Sequence, residues 1–420
     1  MRQLRSFLFT GIRLSCTGCG ACASVCPHSA ITMREDGEGF VYPVRDKKVC
    51  THCGLCDMRC PASGRTMENK VDRPQCFIAS SKFHSYSLRC ATIGVCTMCS
   101  EHIIANKGYV FGAELDGKTW HTRHIQVSSL PELVRIQNSK YIQSETWKTY
   151  EEVKGLLDDG KTVLYVGTPC QIAGLKASLK KEYDNLYTID LVCHGTFSYK
   201  LIAREIEYWE RKFKGKVENF MFRSKRKYDW VKGGIVNFDL IRRNGKVVHI
   251  ERPGCSSPTY HCYAYSKNGI SYNLRECCYK CRFRDKGRYG DLSVGDAWGI
   301  ISQRPQLLTP ANKRYGISVV LANTTKGLQL LDAIKDKTTL EGIPHEMAFS
   351  QPALRPTHRE IPEIRYTLYR NAASARIRYD KMVEDILQVD LSKEYRNFIR
   401  KDVVEKIKIL VKNMIYGNNQ

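Results

Sequence analysis

Apolar residues recur along the middle of the chain in two rhythms. Residues 109 to 115, YVFGAEL, form a short apolar run that reads as a strand. TYEEVKGLLDDG, 149 to 160, spaces its apolar residues as a helix does, with Thr149 and Glu152 at capping-box spacing and Gly160 ending the pattern. TVLYVGT, 162 to 168, reads as a buried strand. PCQIAGLKASLKK, 169 to 181, follows as a helix with proline in its first turn, and LYTIDLVCH, 186 to 194, as a second strand. Strand, helix and strand at this spacing predict a βαβ unit, hence parallel pairing. Both strand ends then lie on one edge of the sheet, where open α/β folds bind ligands.

Three further stretches are legible. Asn244–Gly245, between NFDLIRR and KVVHI, predicts a structural hairpin turn. GDLSVGD, 290 to 296, alternates like a strand ending in a turn, with Asp291 and Asp296 flanking it. EYRNFIRKDVVEKIKILVKNMI, 394 to 415, sets Ile399, Val403, Ile407, Leu410 and Met414 on one helical face among lysines and arginines. That helix can pack on its own domain, dock on a partner, or lie on an anionic membrane surface.

Composition narrows the class. A chain of 420 residues, 42% hydrophobic, holds two or three domains and has no apolar run of membrane-spanning length. The N-terminal MRQLRSFLFTGIRLSC is not expected to be a secretory signal, because its apolar patch runs into Cys16 without a small-residue cleavage site. The expected location is cytoplasmic, or peripheral at the inner face of the membrane. The 19 cysteines then belong to a reducing compartment, where close spacings mean metal or catalysis more often than disulfides. The net charge of +23 suits anionic partners, with an acidic electron-transfer protein such as ferredoxin expected and nucleic acid not. For local clusters such as RSKRK, 223 to 227, a solvated basic surface is an equally good reading.

The densest chemistry stands near the start. CTGCGACASVCP, 16 to 27, and CTHCGLCDMRCP, 50 to 61, each read C-x2-C-x2-C-x3-C-P, the run that holds 4Fe-4S clusters in bacterial ferredoxins. Cys16, Cys19, Cys22 and Cys60 are expected on one cluster, and Cys50, Cys53, Cys56 and Cys26 on the other. Zinc ribbons also use C-x2-C pairs, but they do not account for two four-cysteine runs each closed by proline.

RECCYKC, 275 to 281, adds a late pair, Cys278 and Cys281. With Cys170 and Cys193 at the two parallel strand ends it supplies four ligands for a third 4Fe-4S cluster. Two other readings stay open: buried thiols acting as small hydrophobes, and a redox-active thiol in GTPCQ. Cys96 and Cys99, with Cys90 nearby, are either rival ligands or packing residues of a helix.

Several motifs in fixed order carry a resemblance: SKYIQS (139 to 144), VGTPCQIAGLK (166 to 176), DLVCHG (190 to 195), CYKCRF (278 to 283), GDLSVGDAWGI (290 to 300) and GISVVLANTTKG (316 to 327). Over roughly residues 75 to 350 the chain resembles the coenzyme F-420 hydrogenase/dehydrogenase beta-subunit family, with a ferredoxin module in front. The resemblance implies FAD, the third cluster, and electron transfer between these centres and a substrate. That substrate is a deazaflavin in archaeal members and another acceptor in plant and bacterial ones. Among the family's flavin motifs VFGA, 110 to 113, is retained, while CATIGVC, 90 to 96, stands in place of a serine- and glycine-rich turn. Ser139, Lys140, Tyr141, Gln143, Ser144, Thr168 and Gln171 are the implied flavin-binding residues. Asp296 is a candidate for a flavin ribose, for orienting a lysine, or for capping a turn. His194 is a candidate proton donor to a reduced substrate, or a hydrogen-bond partner of cluster sulfide.

The expected fold is an N-terminal bacterial-type dicluster ferredoxin domain (1–75), a mixed α/β flavin domain containing a parallel βαβ unit (76–350), and a basic helical extension (351–420). The expected function is an iron–sulfur flavoprotein oxidoreductase passing electrons from a ferredoxin-like donor to FAD and on to a small-molecule substrate. The alternatives are a non-catalytic electron-transfer subunit of a larger complex and a chain that has lost flavin.

Overall fold

The structure, a computed structural model, describes residues 5–63, 73–265, 269–284, 287–356, 359–374 and 376–416, with side chains described as far as residue 409. Among the described residues, fourteen strands run along the chain. They are β1 (Ile31–Glu35), β2 (Val41–Arg45), β3 (Gln75–Ser81), β4 (Tyr109–Leu115), β5 (Thr122–Val127), β6 (Ser144–Glu145) and β7 (Val163–Gly167). They continue as β8 (Leu186–Leu191), β9 (Lys216–Met221), β10 (Ile235–Ile241), β11 (Val247–Pro253), β12 (Leu292–Asp296), β13 (Ser318–Ala322) and β14 (Thr338–Gly342).

β1 and β2 form an antiparallel pair in the N-terminal module. Nine strands make the main mixed sheet in the order β14-β3-β13-β12-β8-β7-β4-β5-β6. β9, β10 and β11 form a separate antiparallel sheet. This is a mixed α/β architecture behind a small cysteine-rich module.

The expected βαβ unit is present. β7 pairs in parallel with β8, from Val163 opposite Leu186 to Gly167 opposite Asp190, with the helix Pro169–Leu179 between them. β4 and β12 extend the parallel block on either side. Val163, Leu164 and Tyr165 are fully buried, as a strand covered on both faces requires. The hairpin at Asn244–Gly245 also forms: β10 pairs with β11, and Gly245 takes the positive φ of +78° that the turn needs.

One helix start differs from expectation. In the helix Thr149–Asp158 the Thr149 hydroxyl donates 2.7 Å back to the Thr146 carbonyl, so it does not cap its own first turn with Glu152. The reciprocal cap lies instead at the next helix, where the Thr168 N–H donates 2.9 Å to Gln171 Oε1. The sequence has threonine three residues before a carboxylate in one case and an amide in the other. Tertiary hydrogen bonds decide which is used.

The N-terminal module is seated on the βαβ unit. A Cβ at Gly174, in the helix Pro169–Leu179, would stand 2.9 Å from Cys19 Cβ, so only glycine permits this approach. The Tyr150 hydroxyl donates 2.9 Å to the Cys19 carbonyl, and the Thr146 hydroxyl does the same over 2.9 Å. Arg275, 1% exposed, donates from Nε to the Cys16 carbonyl (2.9 Å), from Nη2 to the Val41 carbonyl (3.1 Å) and from Nη1 to Gln143 Oε1 (2.8 Å). Its guanidinium lies 4.0 Å from the Tyr42 ring centre.

Candidate active site

A cavity of about 540 Å³ opens at the carboxyl edge of β7 and β8. Its walls come from several parts of the chain. The βαβ edge contributes Gly167 to Gln171 and Leu191 to Thr196, and the turn 90–97 closes one side. The segment 136–144 closes another, and the N-terminal module reaches in with Thr17 and Gly18. Most candidate residues away from the N-terminal cysteines line this one space: Ser139, Lys140, Tyr141, Gln143, Ser144, Thr168, Gln171, His194 and Asp296, together with Cys170, Cys193, Cys278 and Cys281. The geometry follows from the fold: parallel strands end on one edge, and the late RECCYKC segment is carried across it.

Within the cavity wall most polar candidates are already engaged. Lys140 Nζ donates to the Gln137 carbonyl (2.5 Å) and the Arg135 carbonyl (3.3 Å), closing the end of the short helix Leu133–Ile136. Burial pulls its pKa down to about 7. Gln143 accepts from Arg275 and from the Val41 N–H (3.2 Å), so it joins the module to the sheet. Thr168 and Gln171 form the helix cap, and Gln171 Nε2 donates 3.3 Å to the Ser144 carbonyl. The Ser139 N–H donates to Asn138 Oδ1. Tyr141 packs its ring 4.9 Å from Tyr263 and edge-on to Phe222, and its hydroxyl accepts from Arg223 over 3.3 Å.

Asp296 pairs with Arg223 at 2.8 Å and accepts from Trp230 Nε1 at 3.1 Å. Its partner is thus an arginine rather than a lysine. Trp298 lies flat on Trp230, ring centres 4.1 Å apart. Asp291 accepts from the Thr188 N–H and hydroxyl and from Thr324, a structural role.

Arg223 and Lys225, from RSKRK, are buried at 6% and 2% exposure. The solvated-surface reading fails for these two. Lys225 Nζ donates to the Thr92 carbonyl (2.7 Å) and the Tyr315 carbonyl (3.1 Å), which holds the turn that walls the cavity. Burial, reinforced by Arg223, pulls its pKa to about 7.

His194 Nε2 lies 2.8 Å from Ser271 Oγ, whose own proton goes to the Tyr263 carbonyl at 2.5 Å. Nε2 therefore carries the hydrogen and Nδ1 is free to accept. Burial, with Arg284 and Arg359 nearby, pulls the ring's pKa to about 4. The imidazole is neutral at pH 7, with Nδ1 a proton acceptor.

A second histidine, His124, was not legible as a site residue. It stands between the Ser144 hydroxyl (2.8 Å) and the Val166 carbonyl (2.9 Å), and burial pulls its pKa to about 4. The carbonyl fixes Nε2 as donor, leaving Nδ1 to accept from Ser144.

The thiols gather without converging. Burial raises Cys170, Cys193 and Cys281, the last two to about 12, and each also feels a neighbour among Cys278, Cys281 and Cys170. Cys278 runs the other way, lowered by the hydrogen bond from Cys277. In the N-terminal module burial raises Cys19, Cys22, Cys56 and Cys60. Yet among the described residues no group of three or more Cys, His, Asp or Glu side chains is arranged to hold a metal ion.

This corrects the cofactor expectation. A metal centre needs donors directed at common points, and neither the two N-terminal 4Fe-4S clusters nor the third cluster has such a donor set here. Of the implied flavin-binding side chains, Lys140, Gln143, Gln171 and Asp296 are held by protein partners, and Thr168 Oγ1 lies 3.2 Å from Cys170 Sγ, so none of them marks a flavin site. Cys90, Cys96 and Cys99 behave as packing residues: Cys99 is fully buried beside Met98 and Val95, and Cys90 Sγ lies 3.2 Å from the Thr97 hydroxyl.

Comparison with known families adds the decisive observation. Residues 160–346 match the family model for the C terminus of the coenzyme F420 hydrogenase/dehydrogenase beta subunit. The match supports assigning this stretch of the chain to that beta-subunit family. Residues 15–64 match a second model, the 4Fe-4S dicluster domain. The general role of the family, oxidoreduction and electron transfer, is therefore the role of this chain. The beta-subunit match takes in Cys170, Cys193, His194, Cys278, Cys281 and Asp296 but stops short of Ser139 to Ser144. A solved structure of the F420-reducing [NiFe] hydrogenase complex from Methanosarcina barkeri contains a similar chain, with 15% identity and a TM-score of 0.39. That match covers 67% of this chain and 88% of the other. No curated protein matches the chain.

Proposed function

We propose that this chain is an oxidoreductase that exchanges electrons with a small molecule bound in its central cavity, and that an acidic redox protein docks on its basic surface as electron donor or acceptor. The observation that carries this reading is the cavity itself. It lies at the carboxyl edge of the parallel block, where α/β sheets place their ligands. Segments from both matched regions wall it. A cavity of about 540 Å³ suits an ordinary metabolite.

His194 is the residue proposed to handle a proton. Its Nδ1 accepts while Ser271 and the Tyr263 carbonyl hold the ring in place. The buried Arg223 lines the cavity with its charge balanced by Asp296, so the pair offers polar contacts to a substrate rather than net charge. The net charge of +23 favours an acidic redox partner and steers its approach.

The test uses the full chain prepared anaerobically, with a reduced viologen as electron source and no partner protein. Small acceptors such as carbonyl and alkene compounds are screened in turn. Saturable, acceptor-dependent oxidation of the viologen is the expected result. Oxidation of the viologen by none of the small acceptors, and only when a redox protein is added as acceptor, would instead support the non-catalytic electron-transfer subunit.

A further inference from the structure

The C-terminal helix Leu391–Tyr416 divides into two halves with different surroundings. Its first half is fastened to the body. Leu391 and Asp402 are buried at 2% and 7% exposure. Arg252 lies over the Tyr395 ring at 4.8 Å, and Phe398 meets Tyr228 edge-on at 5.3 Å. Lys232 holds both nearby acids of the helix, Asp402 at 3.2 Å and Glu405 at 2.7 Å.

Beyond this clamp the apolar residues turn outward. Val403, Val404, Ile407 and Ile409 are 47%, 44%, 52% and 52% exposed. Val403 and Ile407 are one turn apart, with Val404 beside them, on the side of the helix away from the buried Asp402. Arg400, Lys401 and Lys408 are exposed alongside, and Lys412 follows in the sequence. An exposed apolar stripe edged by cations, its acids already neutralised by Lys232, is the composition of a helix that lies in a lipid interface.

We infer that residues 403 to 409 form the described part of a peripheral membrane-binding helix for an anionic lipid surface. The charge pattern selects this occupant over a second copy of the chain. Two copies meeting along the stripe would bring Arg400, Lys401 and Lys408 together across it, on molecules that each carry +23. An anionic bilayer takes up both features at once: the valines and isoleucines enter the acyl boundary, and the cations meet headgroups. The helix lies on the bilayer, since no helix among the described residues is long and apolar enough to cross one. The inference does not depend on the reading of the cavity.

The experiment is co-sedimentation of the full chain with vesicles of phosphatidylcholine alone or mixed with phosphatidylglycerol. The helix predicts at least tenfold tighter binding to the anionic vesicles. It also predicts that Val403→Asp with Ile407→Asp lowers this binding at least tenfold while circular dichroism and thermal unfolding match wild type. An Ile407→Trp variant should shift its emission to the blue on anionic vesicles. Three results would overturn the inference. The first is wild type that does not sediment with anionic vesicles. The second is an Asp variant that binds as well as wild type, which reduces the effect to general charge attraction. The third is concentration-dependent dimerisation abolished by the Asp substitutions without vesicle binding, which assigns the stripe to a second copy.

Discussion

Arg275 Nε donates a 2.9 Å hydrogen bond to the carbonyl of Cys16, joining two residues 259 positions apart. The same guanidinium reaches Val41 and Gln143, so one buried cation fixes the N-terminal module against the cavity. Arg275→Met takes this donor from the buried Cys16 carbonyl and the part-buried Val41 carbonyl, each worth roughly 1–3 kcal/mol when left unmet, while Gln143 Oε1 keeps the Val41 N–H. A loss of about 3 kcal/mol in the first urea transition is expected. A loss below about 1 kcal/mol would show that the module is held mainly by its other contacts.

A second buried cation supports the sheet edge. Arg288, 1% exposed, pairs with the fully buried Asp190, which also accepts from the N–H groups of Tyr289 (3.0 Å) and Gly290 (2.8 Å). Asp190→Asn leaves the guanidinium uncompensated, at a cost of about 3–5 kcal/mol. Urea denaturation should show this as a lower midpoint with an unchanged slope.

Lys225 sets a pH dependence. Its folded pKa, about 7, lies below the ordinary lysine value of 10.5. Between those values the unfolded chain binds the proton and the folded chain does not, so stability rises with pH from 7 upward. The raised cysteines act in the opposite sense above pH 9, where unfolded thiols ionise first. Between pH 7 and 8.5, wild type should therefore gain about 1.5 kcal/mol relative to Lys225→Met. Parallel stability curves for the two proteins would show that Lys225 is charged in the fold.

His194→Gln keeps a donor for Ser271 but removes the accepting Nδ1. Turnover should fall roughly 100-fold, in the range for a lost proton-transfer group, with the unfolding curve unchanged. A comparable fall in binding alone, with kcat intact, would make His194 a substrate-binding group instead.

Electron exchange with an acidic redox protein should slow as salt rises, by about tenfold between roughly 0.02 and 0.3 M, because screening shortens the reach of the protein's field. Stopped-flow rates independent of ionic strength would exclude steering by the net charge of +23.

Much of the site's placement was legible from period and chain order. The runs 162–168 and 186–194 alternate with a helix, and that alone puts Cys170 and Cys193 on one sheet edge. The strand at 109–115 matches β4 in full, because its apolar run is short and bounded. What could not be read is who partners whom. Arg223 and Lys225 sit in a run of five basic or polar residues that looks solvated, and only the tertiary fold buries them against Asp296 and the Thr92 carbonyl. Gln143, Thr168 and Gln171 look like ligand groups because free amides and hydroxyls suit ligands, yet module docking and helix capping claim them. The cysteine spacings announced metal centres, but spacing fixes neighbours along the backbone and not the directions of side chains, and the donors do not converge. His124 offered no local signal, since its partners Ser144 and Val166 lie 20 and 42 residues away.

The most direct test fills the cavity. Ala91 lines it, and Ala91→Trp introduces a side chain that occupies the substrate's space. Acceptor-dependent oxidation of reduced viologen by the full anaerobic chain is compared between wild type and this variant, alongside their thermal unfolding. The account predicts at least a tenfold loss of acceptor-dependent turnover with the unfolding curve unchanged. Equal acceptor-dependent rates in the two proteins would contradict it, because the reaction would then take place outside the cavity.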